Sequence, residues 1–301
     1  MFFRSITFFR FPAGLDLAGL DAALRSCWLK PVGHLELASS GFVSPLGRGY
    51  DDATVRCGDA VWLTVGGEEK VLPPAAIDKV LNERLEALYA QHGRRPGGRA
   101  RAQLRETIVH ELLPRAMVKP TRLDAYLDLR CGFLAVDSGS RRAAEELVST
   151  LRGALGHFPA LPLNAEVAPR SILTGWVAGE PLPAGWTLGE DCNLQDAADG
   201  GSAVKCYRID LLSDEVAEHL RAGRQATRLA LVQADRVAFD LDESLVVRKL
   251  RFLDGALDVL ADAEQDGLRA EIDARFALMS GEVRGLFLTM QTALKLSAME
   301  P

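Results

Sequence analysis

Residues 68–122 read EEKVLPPAAIDKVLNERLEALYAQHGRRPGGRARAQLRETIVHELLPRAMVKPTR. Pro73 and Pro74 open a segment in which Ile77, Val80, Leu81, Leu85 and Leu88 recur at spacings of three and four, the mark of a helix with one buried face. The tract His92-Gly-Arg-Arg-Pro-Gly-Gly breaks it. A second amphipathic run, with Leu104, Ile108 and Leu112 on one side, lasts until Pro114 stops it. The reading is a projecting arm of two similar helices joined by a turn. From His92 to Arg122 there are eight basic side chains, Arg94, Arg95, Arg99, Arg101, Arg105, Arg115, Lys119 and Arg122, against two acids, Glu106 and Glu111, in a chain of net charge −6. An anionic partner is expected. Seven of the eight are arginine, whose planar guanidinium forks onto phosphate oxygens where an ammonium acts as a point charge. No aromatic residue interleaves them to stack bases, and no helix-turn-helix or zinc-finger pattern offers to read base edges. That favours binding to a duplex backbone without sequence preference.

The rest of the chain supplies the body. With 301 residues, 48% of them hydrophobic, it can bury a large core. Its aromatic N-terminus is interrupted by Arg4 and Arg10 before a signal-peptide core can form, and reads as a strand. No apolar run approaches the roughly 18 residues of a spanning helix. Five scattered cysteines with no C-x-x-C pair fit reduced thiols in a cytoplasm. Seven acids lie between Asp254 and Asp273. Negative charge is thus segregated from the basic arm.

In chain order, a helix is expected around Leu17 to Leu24, then a Gly/Ser/Pro-rich stretch from Pro31 to Gly49. A strand follows at Val61 to Val65, ended by a turn at Gly66-Gly67. After the arm come a hairpin over Ala125–Leu129 and Gly132–Val136, and a helix from Ser140 to Leu155 with Ala144, Leu147, Val148 and Leu151 inward. Residues 159–185 contain five prolines and read as an irregular connector with one helical turn around Trp176. Ala203–Leu211 reads as a strand, Ser213–Leu220 as a helix, and Thr227–Val232, Arg236–Leu241 and Leu245–Phe252 as a meander. In its last strand, Lys249 and Arg251 share one face while Arg248, Leu250 and Phe252 share the other. Ile272–Leu296 is helical, interrupted at Ser280-Gly281. The expected divisions are 1–66, an α/β part of the body; 67–122, the arm; 123–185, a second α/β part with the connector; and 186–301, an α+β part.

Signatures of catalysis are sparse. There is no H-E-x-x-H, no G-x-x-x-x-G-K-[ST] and no G-x-S-x-G. His110-Glu111 precedes Leu-Leu-Pro and reads as a polar helix face. Asp240 and Asp242 share a strand face and are the pair that could hold Mg²⁺. Two solvated acids leading into a turn is the commoner meaning of such a pair. No catalytic residue, cofactor or metal is assigned.

Several tracts together resemble one family, the bacterial recombination-associated RdgC proteins. They are Gly41-Phe42-Val43 with Pro45, Gly47 and Gly49; Glu68-Glu69-Lys70-Val71-Leu72-Pro73; Leu112-Leu113-Pro114-Arg115-Ala116; Asp199-Gly200-Gly201; Asp210-Leu211 with Ser213-Asp214-Glu215; Leu245-Val-Val-Arg-Lys-Leu-Arg-Phe252; and Ala277-Leu278-Met279-Ser280-Gly281-Glu282. They run collinearly through nearly the whole chain. The resemblance implies an α+β protein with antiparallel sheets, packed helices and a projecting two-helix arm. The monomer would be a horseshoe whose two-fold dimer closes into a ring around duplex DNA and restrains the recombinase RecA by competing for DNA. It implies a cytoplasmic, nucleoid-associated homodimer. Arg115, Lys119 and Arg122 at the arm exit, with Lys205, Arg208, Arg248, Lys249 and Arg251, are the expected phosphate contacts, joined by Lys70 and the tip arginines Arg94, Arg95, Arg99 and Arg101. Met117 stands where the family usually carries an aromatic residue that helps the arms meet, and Ile209 follows Arg208 where Gln is usual; these three are the expected dimer contacts. The alternatives are a metal-dependent DNA exonuclease, a label the family has carried, and a regulator docking directly on the recombinase.

Overall fold

The computed structural model describes residues 2–94, 96–196, 201–260 and 267–297. The first half of the chain runs β1 (Thr7–Arg10), α1 (Leu20–Ser26), β2 (Ala38–Val43), β3 (Val55–Cys57), β4 (Ala60–Val71), α2 (Pro74–His92), α3 (Gly98–Leu112), β5 (Met117–Asp128), β6 (Phe133–Val136) and α4 (Arg141–Leu155). The second half continues with β7 (Leu161–Pro162), α5 (Pro169–Val177), β8 (Trp186–Asp196), β9 (Ala203–Cys206), α6 (Asp214–Arg221), β10 (Arg224–Gln233), β11 (Val237–Asp242), β12 (Val247–Phe252), α7 (Asp254–Leu257) and α8 (Leu268–Ala293). Two antiparallel sheets result. One has the order β2-β4-β5-β6-β1-β7 with β3 also on β4, and the other the order β12-β11-β10-β8-β9. The expected α+β class holds.

The inner part of the first sheet is covered on both faces, which is why residues 60–63 and 125–127 and Phe133–Val136 read as apolar runs rather than alternating ones. Val61 and Leu63 of β4, Leu127 of β5 and Leu134 of β6 face Leu20 and Leu24 of α1 and Ala144, Leu147 and Leu151 of α4. The intervening Trp62, Tyr126 and Phe133 point the other way, to α8. There Phe276 lies 5.6 Å from Trp62 and Phe287 lies 4.3 Å from Phe133, centroid to centroid. The same apolar cluster continues through Val283, Leu286 and Met290 to Leu229, Leu231, Phe239 and Leu241 of the second sheet. The buried face of α8 therefore joins the two sheets. Arg236 holds Glu282 of this helix at 2.5 Å, and a bridge between Ile6 and Val247 ties the sheets directly.

Several local expectations are corrected. Gly66-Gly67 is no turn: β4 runs straight through it, paired with β2 and β5 on either side, and glycine is required there because a Cβ would stand 2.7 Å from Val43 Cγ1 or 2.6 Å from Thr121 Oγ1. The Gly/Ser/Pro-rich stretch contains β2, which pairs with β4 from Ala38↔Glu69 to Val43↔Thr64. The helical turn around Trp176 is a nine-residue helix, and β9 ends at Cys206 rather than Leu211. Helix α8 is continuous through Ser280-Gly281. In β12, Lys249 takes a left-handed backbone with φ 49°, and the pairing slips between Ala238 and Asp240. This bulge breaks the alternation, so that Val247 and Leu250 are the buried residues and the expected division of faces fails.

Candidate nucleic-acid interface

The arm grows out of the first sheet. Strands β4 and β5 stay paired from Ala60↔Asp128 to Val71↔Met117, and α2 and α3 are mounted on the far end of this ribbon. Ile77, Leu81 and Ile108 form a small core between the two helices. Arg105 reaches Asp78 across them at 2.5 Å, and Arg84 pairs with Glu111. Gly93 ends α2 in the left-handed conformation, φ 65°, with its N–H on Tyr89 O.

The expected phosphate contacts fall into two groups. In one, the charge is already engaged. Lys70 is 8% exposed and its ammonium donates to Gly33 O and His34 O, each at 2.6 Å. Arg122 forks onto Asp124 at 2.9 and 3.1 Å and donates to Pro45 O at 2.6 Å. Asp124 is buried and also accepts from Trp62 Nε1 and Thr64 Oγ1. Arg248 Nε donates to Asp242 at 2.7 Å. The Lys249 ammonium lies 3.0 Å from Asp240 and 3.2 Å from Asp191, and its pairing with Asp240 holds it above its ordinary pKa. Asp240 and Asp242, the pair considered for Mg²⁺, are thus each matched with a cation. No group of three or more metal-ligating side chains occurs among the described residues.

In the other group, Arg115, Lys119, Lys205, Arg208 and Arg251 are exposed, and no side-chain partner is present for them among the described residues. The same is true of Arg94, Arg99 and Arg101 at the arm tip; Arg95 lies outside the described residues. The structure brings part of the set together. Asp191 accepts from the Arg208 backbone N–H on one oxygen and from Lys249 on the other. Along the seam between the sheets, Asp137 N donates to Asp124 O, and the Asp137 carboxylate accepts from Arg4 N and Ser5 N. Burial pushes that carboxyl above the usual carboxylate range, and the two N–H donors only partly offset this. Gly139, two residues on, sits against the guanidinium of Arg248. Sequence reasoning did not find Asp191 or Asp137. Neither stands in a motif, and their side-chain partners lie far away along the chain.

Of the expected dimer contacts, Met117 is 81% exposed, beside exposed Val118 and opposite Val71. A hollow of about 450 Å³ at the arm root, lined by Leu37, Val71, Leu72, Ile77, Val109 and Lys119 among others, adjoins it. Ile209 is half-buried against the main core.

These features define an α+β protein with a basic arm, exposed arginines and lysines free of side-chain partners among the described residues, and an apolar patch at the arm exit. Residues 1–297 match a family described as "Putative exonuclease, RdgC". The chain is 56% identical over 301 residues to the Recombination-associated protein RdgC of Xanthomonas axonopodis pv. citri (strain 306), covering all of both chains. It is 56% identical over 303 residues to that of Xanthomonas oryzae pv. oryzae (strain MAFF 311018), again over both full lengths. Identity to the namesake of Stenotrophomonas maltophilia (strain R551-3) is 54% over 298 residues, 99% of each chain. The chain belongs to the RdgC family. Among the described residues no helix is long and apolar enough to cross a membrane.

Proposed function

We propose that this protein binds duplex DNA without sequence preference as a ring-shaped homodimer built from two horseshoe-shaped protomers, and restrains RecA-dependent recombination by occupying the DNA. The observation that carries this reading is the division among its cations. Lys70, Arg122, Arg248 and Lys249 each have a partner within the fold, whereas Arg115, Lys119, Lys205, Arg208 and Arg251 stand exposed with no side-chain partner among the described residues. A free guanidinium or ammonium can exchange the counterions of phosphate for itself at little cost to the fold. Met117, with Val118 and Val71, offers a second copy an apolar contact at the arm exit. The relatives' name, recombination-associated protein, supports a role in recombination, and a nucleoid-associated location is part of the same proposal.

The family's description as an exonuclease supplies the second reading. Pairing of Asp240 with Lys249 and of Asp242 with Arg248 speaks for a DNA binder rather than a metal-dependent nuclease. One experiment separates the readings: complexes on a linear duplex and on a covalently closed circle of the same sequence are taken through a salt step, with and without Mg²⁺. Retention on the circle with loss from the linear form is expected. Equal loss from both overturns the ring, and Mg²⁺-dependent shortening of the linear ends overturns the assignment as a non-enzyme.

A further inference from the structure

Cys192 on β8 and Cys206 on β9 are directly registered partners in the antiparallel ladder. Both are free thiols and both are buried. Directly opposed residues of antiparallel strands have Cα atoms about 4.5 or 5.5 Å apart, inside the roughly 4.4–6.8 Å that a disulfide spans. No other two cysteines among the described residues are registered partners in a sheet. Strand β9 is the sheet's edge, with β8 its neighbour. It carries Lys205 and leads at once to Arg208, whose backbone N–H is held by Asp191 of β8.

We propose that Cys192 and Cys206 form a modification site, a cross-strand dithiol that a small disulfide of the glutathione class closes into a bond stapling β9 to β8. Cys206 retains more exposure, 8% against 2% for Cys192, and makes the first attack. Its thiolate takes one sulfur of the small disulfide and releases one small thiolate. Cys192 then gives its proton to water, attacks the Cys206 sulfur and expels the second small thiolate. Two hydrogens leave the protein and two small thiols form. In the reduced protein, burial and then the Cys206 sulfur push the Cys192 thiol up to about 12. Once Cys206 is in a mixed disulfide it can carry no negative charge, and that part of the obstacle is gone. The staple fixes the strand bearing Lys205 and the start of the Arg208 turn. Only its effect on DNA rests on the function proposed above.

The test uses the native full-length chain with excess glutathione disulfide, followed by alkylation and peptide mapping. A peptide pair linked through Cys192 and Cys206 is expected, reversed by dithiothreitol, with exposed Cys27 at most glutathionylated. The Cys192→Ala variant should trap glutathione on Cys206. If both core cysteines stay unmodified while Cys27 reacts, or if wild-type Cys206 retains glutathione without linking, the proposal is overturned. For the oxidised protein, dissociation from duplex DNA should slow about threefold, the effect of sparing one side chain its ordering on binding. An unchanged rate despite the disulfide overturns the coupling to DNA. Failure of the reduced protein to bind DNA at all would instead count against the function proposed above and leave the dithiol chemistry standing.

Discussion

The guanidinium of Arg284, on α8, meets the fully buried carboxylate of Asp128 at the end of β5 at 2.5 Å. Asp128 also accepts from the backbone N–H groups of Arg130 and Cys131 in the turn that follows. Removing one partner of a buried pair leaves a charge without compensation, so Arg284→Met should lower unfolding stability by about 3 kcal/mol. Adding Asp128→Asn should recover part of the loss. Denaturant titration of the single and double variants checks this, and equal stability of wild type and Arg284→Met would refute it.

Exposed, unmatched cations should behave differently from matched ones. Neutralising Arg115, Lys119, Lys205, Arg208 or Arg251 to Gln should weaken DNA binding and flatten the plot of log affinity against log salt by roughly 0.9 for each phosphate no longer engaged. Stability should stay put. Lys70→Met, by contrast, strands Gly33 O and His34 O and should cost about 1–3 kcal/mol of stability. Salt-titrated binding, run beside thermal melts, separates the two classes.

Met117→Glu places a charge where the exposed apolar contact is proposed. Sedimentation should show a shift from dimer toward monomer, while circular dichroism stays that of the wild type, because an exposed substitution typically moves stability by no more than ~0.5 kcal/mol. An unchanged dimer would mean that the protomers meet elsewhere.

Folding lifts the carboxyl pKa of Asp137, chiefly by burial. For an acid shifted upward, the protonated form is the one the fold favours. The associated stability is present below the unfolded pKa of about 3.9 and is lost as pH rises through the higher folded value. Asp137→Asn keeps an oxygen for Arg4 N and Ser5 N but does not ionise. Its stability relative to wild type should therefore increase as pH rises above about 4, the unfolded carboxyl value, as equilibrium unfolding from there to neutrality would show.

The arm was legible because its signals are local: Pro73-Pro74 and Gly93 punctuate a three-four apolar repeat. Ser140 likewise announces α4, its hydroxyl accepting from Ala143 N. Strand β2 was hidden because its Gly/Ser composition means turn in isolation. What makes it a strand is pairing with β4 and a parallel bridge between Trp28 and Phe42, both tertiary facts. Gly66 and Gly67 misled for the same reason, since their smallness answers Val43 and Thr121. At the candidate site, residue type revealed which side chains are cations but not which were spent. Arg122 is neutralised by Asp124 two residues on but anchored at Pro45, 77 residues back. Lys249 left its strand face through a bulge that no alternation rule anticipates.

The pairing of β4 with β5, continuous from the sheet interior to Met117, has a mechanical meaning. A force applied along the strands loads many ladder hydrogen bonds at once, whereas one that peels the strands apart loads them singly. The beam is thus stiff to shear along its length and gives first by flexing out of its own plane. Its rooted end is clamped by Asp128 and Arg284, so torque at the tip is delivered to α8 and, through that helix, to the second sheet.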